Sequence, residues 1–450
     1  MIMKTFYKYI IVTAVLLGCL SSCGLYKKYE RPEVHFVDSL YRRLPDLHDT
    51  VSIASLSWND FFSDTLLCQW IELGIENNTD LAIARLRVDQ AQADMMAARQ
   101  AFFPSVSFSA GGGVSTSGGQ YSVGPTFSWE ADIFGKVANA KRGTAAALKQ
   151  SEAYKQAVQS QLVATIAESY YRMLMLDKQL SISQRTLKTW EENIRTLEAL
   201  KRAGKTNEAA VLQAKANMLD VQNSVYNLHQ QIFEAENSFA ALIGFVPVII
   251  SRGSLEDQEF PQELSGGVPA EILSNRPDVR QAEMALAQAF YATNQARSSF
   301  YPSIRLTGDA IFNPTGFVAG LAASLLQPVY SQGTNKAKLR KAEAAQEIAL
   351  YEFRQCLLDA GVEINNALIA LKTARSRVTI DRRQIVHLQA AVWNTQLLMK
   401  HGNTNYLEVL TAQQKLLQAE LAEVSDRYEE IRNVINLYHA LGGGYDRDNQ

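Results

Sequence analysis

The chain has 450 residues, 47% of them apolar and 20% charged, which excludes a disordered tail or a highly charged solvated rod. Lys and Arg number 44 against 46 acids, and a net charge of −2 gives no electrostatic footprint for nucleic acid. Only 11 prolines occur, none between Pro125 and Pro247 and none after Pro328, so very long helices are expected rather than a row of compact α/β units.

In chain order, residues 1–22 read as an export signal. Lys4 and Lys8 give the basic start, and Ile10 to Leu20 is an apolar or small run too short to span a bilayer as a helix. Leu20-Ser21-Ser22-Cys23 then matches the bacterial lipobox, so Cys23 is expected to carry a lipid and to become the mature N-terminus. The rival site, Leu16-Leu17-Gly18-Cys19, has bulky Leu17 where a small residue is preferred. Cys68 and Cys356 are read as structural, since a chain this poor in cysteine does not rely on disulfides. No later segment offers an apolar run long enough for a transmembrane helix, so any further membrane contact falls to β-strands.

Beyond the leader the chain repeats itself with an offset of 198 residues. Ala98-Arg99-Gln100-Ala101-Phe102-Phe103-Pro104-Ser105 returns as Ala296-Arg297-Ser298-Ser299-Phe300-Tyr301-Pro302-Ser303. The same step carries Asp80 to Asp278, Gly135 to Gly333, Gly204 to Gly402 and Gly244 to Gly442. It also carries Val211-Leu212-x-Ala214 onto Val409-Leu410-x-Ala412. The repeats run over 78–244 and 276–442, separated by a linker at 245–275.

Each repeat opens with a helix, signalled by Asn77-Asn78-Thr79-Asp80 and by Asn275-Arg276-Pro277-Asp278, and closed by Pro104 or Pro302. Two strands follow in each, over 104–131 and 302–329. In the first pair, Val106, Phe108 and Ala110 alternate with serines, and Tyr121, Val123, Phe127 and Trp129 alternate after a Gly-rich turn. In the second, Ile304, Leu306 and Gly308 lead to the turn Asn313-Pro314-Thr315-Gly316 and then to Phe317, Ala319, Leu321, Ala323 and Leu325. Such segments of about ten residues suit transmembrane strands, with Phe127, Trp129 and Tyr330 as candidate interface anchors. A small soluble sheet would show the same periodicity.

Long helices follow, from Gly135 to Ala203 and from Gly333 to His401. Some 65 residues at 1.5 Å each make roughly 100 Å, the scale of a periplasmic crossing. Leu180, Leu187 and Ile194, like Val378, Ile385, Val392 and Met399, recur every seven residues and mark a coiled-coil-like seam. Gly204 and Gly402 break these helices, and shorter ones return to Gly244 and Gly442, giving two helical hairpins over 135–244 and 333–442 with tips near 203–208 and 401–406. Four membrane strands in one chain cannot close a barrel, because the smallest bacterial barrels need about eight. Several copies must then share one, and the strand number by itself leaves a dimer and a trimer open.

The chain resembles the TolC-like outer-membrane efflux factors, in particular their lipoprotein branch. The likeness is carried by Cys23 with Tyr29-x-x-Pro32, Trp58-x-x-Phe61, Asp64-x-x-Leu67 and Asn78-x-Asp80-Leu81. It continues through Trp129-Glu130-Ala131-Asp132-Ile133-Phe134-Gly135-Lys136, Gly267-Val268-Pro269, Asn275-Arg276-Pro277-Asp278-Val279 and Ala440-Leu441-Gly442-Gly443. The resemblance implies a mixed α and β membrane protein, mainly α. Its long antiparallel hairpins would form a trimeric periplasmic α-barrel tunnel below a shared twelve-stranded outer-membrane β-barrel with four strands per chain. Residues 23–77 would serve as anchor and, with the linker at 245–275 and the tail 443–450, as an equatorial belt. The implied function is a passive exit duct for drugs or other toxic small molecules. It would be a homotrimer in the bacterial outer membrane, joined through a periplasmic adaptor protein to an inner-membrane efflux transporter. No cofactor is implied beyond the lipid on Cys23.

The family narrows its tunnel just after the second tip glycine with acidic rings. Glu408 matches the first acidic position, where three copies would crowd like charges around the axis, raise their pKa values and attract cations. Asn405 and Thr411 complete the candidate gate, with Thr411 where a second acid is common. Arg202, Gly204 and Lys205 with Lys400 and Gly402 are the candidate adaptor-docking tips; the same residue types also serve ordinary helix capping. The six histidines show no metal-ligand spacing and no phosphate-loop pattern is present, so neither an enzyme nor a metal site is expected. The alternatives are a lipid-anchored periplasmic coiled-coil scaffold without a pore, or the same duct serving protein secretion or metal efflux.

Overall fold

The computed structural model describes residues 26–32, 57–115, 118–258, 260, 276–313, 316–328, 332–400 and 406–445. Its elements in chain order are α1 (Trp58–Phe61), α2 (Thr65–Asn77), α3 (Thr79–Gln100), β1 (Ser105–Ser115), β2 (Gly118–Ala131), α4 (Lys136–Arg202) and α5 (Glu208–Leu242). After a single 3₁₀ turn at Leu255–Asp257 come α6 (Pro277–Ser298), β3 (Ser303–Asn313), β4 (Gly316–Leu326), α7 (Thr334–Lys400) and α8 (Tyr406–Ala440). Helices α4 and α7 have 67 residues each, α5 and α8 have 35, and α3 and α6 have 22. No helix among the described residues is long and apolar enough to cross a membrane.

The described residues form two compact units. One comprises those within 1–35, 84–155 and 277–357. It holds an antiparallel sheet in the order β1-β2-β3-β4. The first hairpin pairs Ser105 with Ser128 and runs on to Ser115 with Gly118, so β2 begins at Gly118 and not at Tyr121 as the sequence suggests. Glycine in the turn region puts no side chain in the way of further pairing. The second hairpin closes between Asn313 and Gly316, where the sequence predicts its turn. The two hairpins join through β2 and β3, with Phe127 opposite Gly308 and Trp129 opposite Leu306. The Phe127 ring lies over Gly308 so closely that a Cβ there would fall 1.9 Å from it, which leaves glycine as the residue that fits.

The Trp129-to-Lys136 motif makes the passage from sheet to helix. Trp129 Nε1 donates to the Phe102 carbonyl at 2.8 Å, and Lys136 pairs with Glu130 at 2.9 Å. Asp132 accepts the free N–H groups of Val137 at 2.8 Å and Ala138 at 2.7 Å, capping α4 where the helix dipole favours a negative charge. Phe134 stacks on Tyr301, 5.0 Å between centroids. In the same unit, Tyr29 meets Phe290 edge-on, and Arg31 lies over the Phe353 ring while reaching Glu283 at 3.7 Å.

The other unit comprises the described residues within 36–83, 156–276 and 358–450. Residues 26–32 and 57–77, which the sequence groups in one segment, thus belong to different units. Asp64 organises this second unit. It caps α2 through Leu66 N–H and Leu67 N–H, and its other oxygen accepts from Tyr170 at 2.8 Å and Gln258 at 3.0 Å. Arg252 ties the linker to α4 and α5 through Asp177 and Glu236. Arg276 is buried, bonded to Glu363 at 2.6 Å and to the Ala440 carbonyl. Burial alone would raise the Glu363 carboxyl, but His439 and Arg276 outweigh it and hold it at about 2. No disulfide joins Cys68 and Cys356.

Candidate functional site

The first hairpin tip is shaped by backbone rules. At the end of α4, Gly204 N–H donates to the Lys201 carbonyl at 3.0 Å and Lys205 N–H to the Leu200 carbonyl at 2.9 Å. These two bonds form a Schellman closure, with Gly204 in the left-handed region at φ 69°. Asn207 then restarts the chain by accepting Ala210 N–H at 3.0 Å. Lys201 pairs with Glu208 across the turn, and Lys215 with Glu198 at 2.7 Å, which lowers the Glu198 carboxyl. Arg202, Gly204 and Lys205 stand together, exposed, at this end. Lys400 ends α7; Gly402, Asn405, Cys23 and Tyr330 lie outside the described residues.

The second hairpin returns at Tyr406, and its first turn is amphipathic. Tyr406, Val409, Leu410 and Gln413 are buried, whereas Leu407, Glu408 and Thr411 are exposed. Tyr406 and Leu410 belong to one apolar core with Trp190, Ile194 and Leu197 of α4 and Val211, Ala214 and Val221 of α5. Leu187 and Met399, two of the heptad positions read from the sequence, pack against it. The core sets the rotation of α8, and that rotation turns Glu408 and Thr411 outward. Thr411 spends its hydroxyl on the Leu407 carbonyl at 2.8 Å, within its own helix. Tyr406 hydroxyl is buried without a hydrogen-bond partner among the described residues, and burial pushes its phenol above the usual range.

Above the tips a row of side-chain bonds joins α4 to α8. Asn193 Nδ2 donates to Gln413 at 2.8 Å, Arg185 to Glu420 at 2.7 Å and Gln179 to Ser425 at 3.0 Å. At the Ser425 level the second hairpin carries a carboxylate pair that sequence reading did not single out. Asp426 is buried and paired with Arg377, and Asp381 faces it from α7. Burial first, and Asp426 second, raise the Asp381 carboxyl to about 6. No heptad or motif announces this pair, because the two aspartates are far apart in sequence and meet only when the hairpin closes. Among the described residues no group of His, Cys, Asp or Glu could hold a metal.

A family model described as outer membrane efflux protein matches residues 70–245 and again 268–443. The cation efflux system protein CusC of Escherichia coli O6:H1 is 26% identical over 450 residues, covering 95% of this chain and 97% of its own. The toluene efflux pump outer membrane protein TtgC of Pseudomonas putida is 28% identical, covering 96% of this chain and 94% of its own. Among solved structures, the open state of the Neisseria gonorrhoeae MtrE outer membrane channel superposes with a TM-score of 0.84 at 29% identity, covering 94% of this chain and 99% of that one.

Proposed function

The chain belongs to the outer membrane efflux protein family and is the outer-membrane component of an efflux system; from that premise we propose that it works as the passive, trimeric exit duct of a tripartite pump. One observation carries the oligomeric part of this reading. Among the described residues the sheet has four strands, and the outer edges of β1 and β4 have no partner strand there. In hydrocarbon each unpaired backbone group costs several kcal/mol, and an open four-stranded sheet has two rows of them. Three chains would close a barrel of twelve strands, within the range of bacterial barrels.

The driving energy comes from an inner-membrane transporter, reached through a periplasmic adaptor that engages the tips at Arg202, Gly204, Lys205, Lys400 and Gly402. Glu408, three copies of it, guards the periplasmic end together with Asn405 and Thr411. Cys23 carries the lipid. The repeats 78–244 and 276–442 are the duct proper, and 23–77, 245–275 and 443–450 form its belt. The cargo is toxic small molecules. Relatives named for cations and for toluene stand equally near this chain, at 26% and 28% identity, as suits a duct that passes whatever its pump loads.

Native mass measured on the detergent-extracted particle, with the lipid mass read on the N-terminal peptide, tests this. Three chains, each acylated at Cys23, are expected. A single chain that leaves the membrane without detergent overturns the duct and restores the periplasmic scaffold.

A further inference from the structure

The two faces of the sheet differ in kind. Register puts Val106, Phe108, Phe312, Phe317, Leu321 and Leu325 on one of them. Each of these six is between 58% and 75% exposed. In a membrane barrel such a face meets the lipid, and the opposite face lines the lumen. The opposite face holds Ser105, Ser107, Thr126, Ser128 and Thr307, which are polar and uncharged. Within the four strands the charged residues are Glu130, Arg305 and Asp309, and all three lie on this second face.

Two of the three are compensated. Glu130 and Arg305 stand opposite each other in register and approach to 3.8 Å, and Lys136 takes the same carboxylate at 2.9 Å. Asp309 is left over. Among the described residues no hydrogen bond or ion pair reaches its carboxylate. Arg305, four residues back along the strand, is roughly 13 Å away. The register partners of Asp309 are Thr126 and Gly320. A Cβ at Gly320 would stand 3.0 Å from Asp309 Oδ1, so glycine there leaves the carboxylate uncovered. The 198-residue step puts Gly111 in the first repeat where the second has Asp309, so each chain brings one such charge and not two.

Resting on the trimeric duct proposed above, we infer that Asp309 is a charge-selecting residue of the lumen. Its three copies ring the barrel with uncompensated carboxylates, which concentrate cations there and hold anions back. Its register partners are a glycine and a threonine, so the ring sorts by charge and not by size. The class it favours is cationic small molecules. The ring is separate from Glu408, which lies in the first turn of α8 and not in the sheet. Its field reaches about one Debye length, about 8 Å at physiological salt and about 3 Å at 1 M, so the preference fades in strong salt.

A thiol on the same face, two residues away, reads the local potential. Thr307→Cys, in the full chain, in outer membranes and in a Cys68→Ser, Cys356→Ser background, is modified in turn by a cationic and an anionic methanethiosulfonate. The ratio of the two rates, normalised to free cysteine, is expected to favour the cation. It should fall about fivefold with Asp309→Asn and reverse with Asp309→Lys. Salt at about 1 M should remove the preference in the protein that keeps Asp309, a measurement that needs no change at that position. Leu306→Cys, on the apolar face, should react with neither reagent. A ratio that Asp309→Asn leaves unchanged overturns the inference. So does a preference that persists in strong salt, or a Leu306→Cys thiol that reacts as fast as Thr307→Cys. A native mass of one chain in the parent protein would instead bring down the oligomeric reading on which the inference rests.

Discussion

Asp381 and Asp426 meet across the second hairpin beside Arg377, which pairs with Asp426. Glu423 adds further negative charge at Asp381 and is itself engaged by Arg382 at 3.2 Å. Since the Asp381 carboxyl is raised from 3.8 to about 6, the folded chain holds this proton more tightly than the unfolded one. The stability it contributes is complete below about pH 4 and is lost as pH rises through about 6. Asp381→Asn, which can donate to Asp426 at every pH, should therefore stabilise the protein by about 1–2 kcal/mol at pH 7.5 and by little at pH 4.5. Thermal unfolding midpoints in detergent at the two pH values check this; an equal shift at both would refute it. Glu408 calls for a different readout, because α8 turns it to the exposed face. Glu408→Gln should leave the fold intact and weaken block of the reconstituted channel by a divalent cation about tenfold, measured in planar bilayers.

At the level of elements, α5 faces two ways. Val211, Ala214, Val221 and Leu228 are buried, while Leu212, Leu219, Tyr226 and Phe233 form an exposed row with a spacing of seven. A soluble helix with such a row on its outside would be an association surface by itself. Phe233→Asp should cost little inside the chain but remove the proposed three-chain particle in native mass measurements, leaving helix content unchanged. Ile431→Asp, at the counterpart position, should instead lose helical signal and yield no folded protein, since it buries an unpaired charge at a fully covered site. Equal behaviour of the two variants would contradict the placing of Phe233 on an exposed face and of Ile431 in the covered core. The connectors are simpler. The Trp129-to-Lys136 motif is occupied with capping and bracing, so its distinctiveness reflects the difficulty of turning a strand edge into a helix start.

For the whole molecule, much was legible in the residues alone. Helix α4 lies within the span Gly135 to Ala203 and α7 within Gly333 to His401, because heptads, glycines and prolines act locally and need no partner to be read. The strand alternation and the Asn313–Gly316 turn are local in the same sense. Helices α1 and α2 were not legible as elements. They are short, and Asp64 caps α2 with the oxygen that its bonds to Tyr170 and Gln258 leave available, a connection spread over the chain. The Asp381–Asp426 pair escaped for the same reason. Leu212 and Leu410 show the limit most plainly. They occupy the same place in the same Val-Leu-x-Ala step, yet one is 57% exposed and the other 2%. Their chemistry is identical. Sequence periodicity determines that each helix has an apolar face, because that face belongs to the helix. Whether the face is covered depends on which other surface reaches it, and the tertiary structure alone decided that for Leu410 and left Leu212 open.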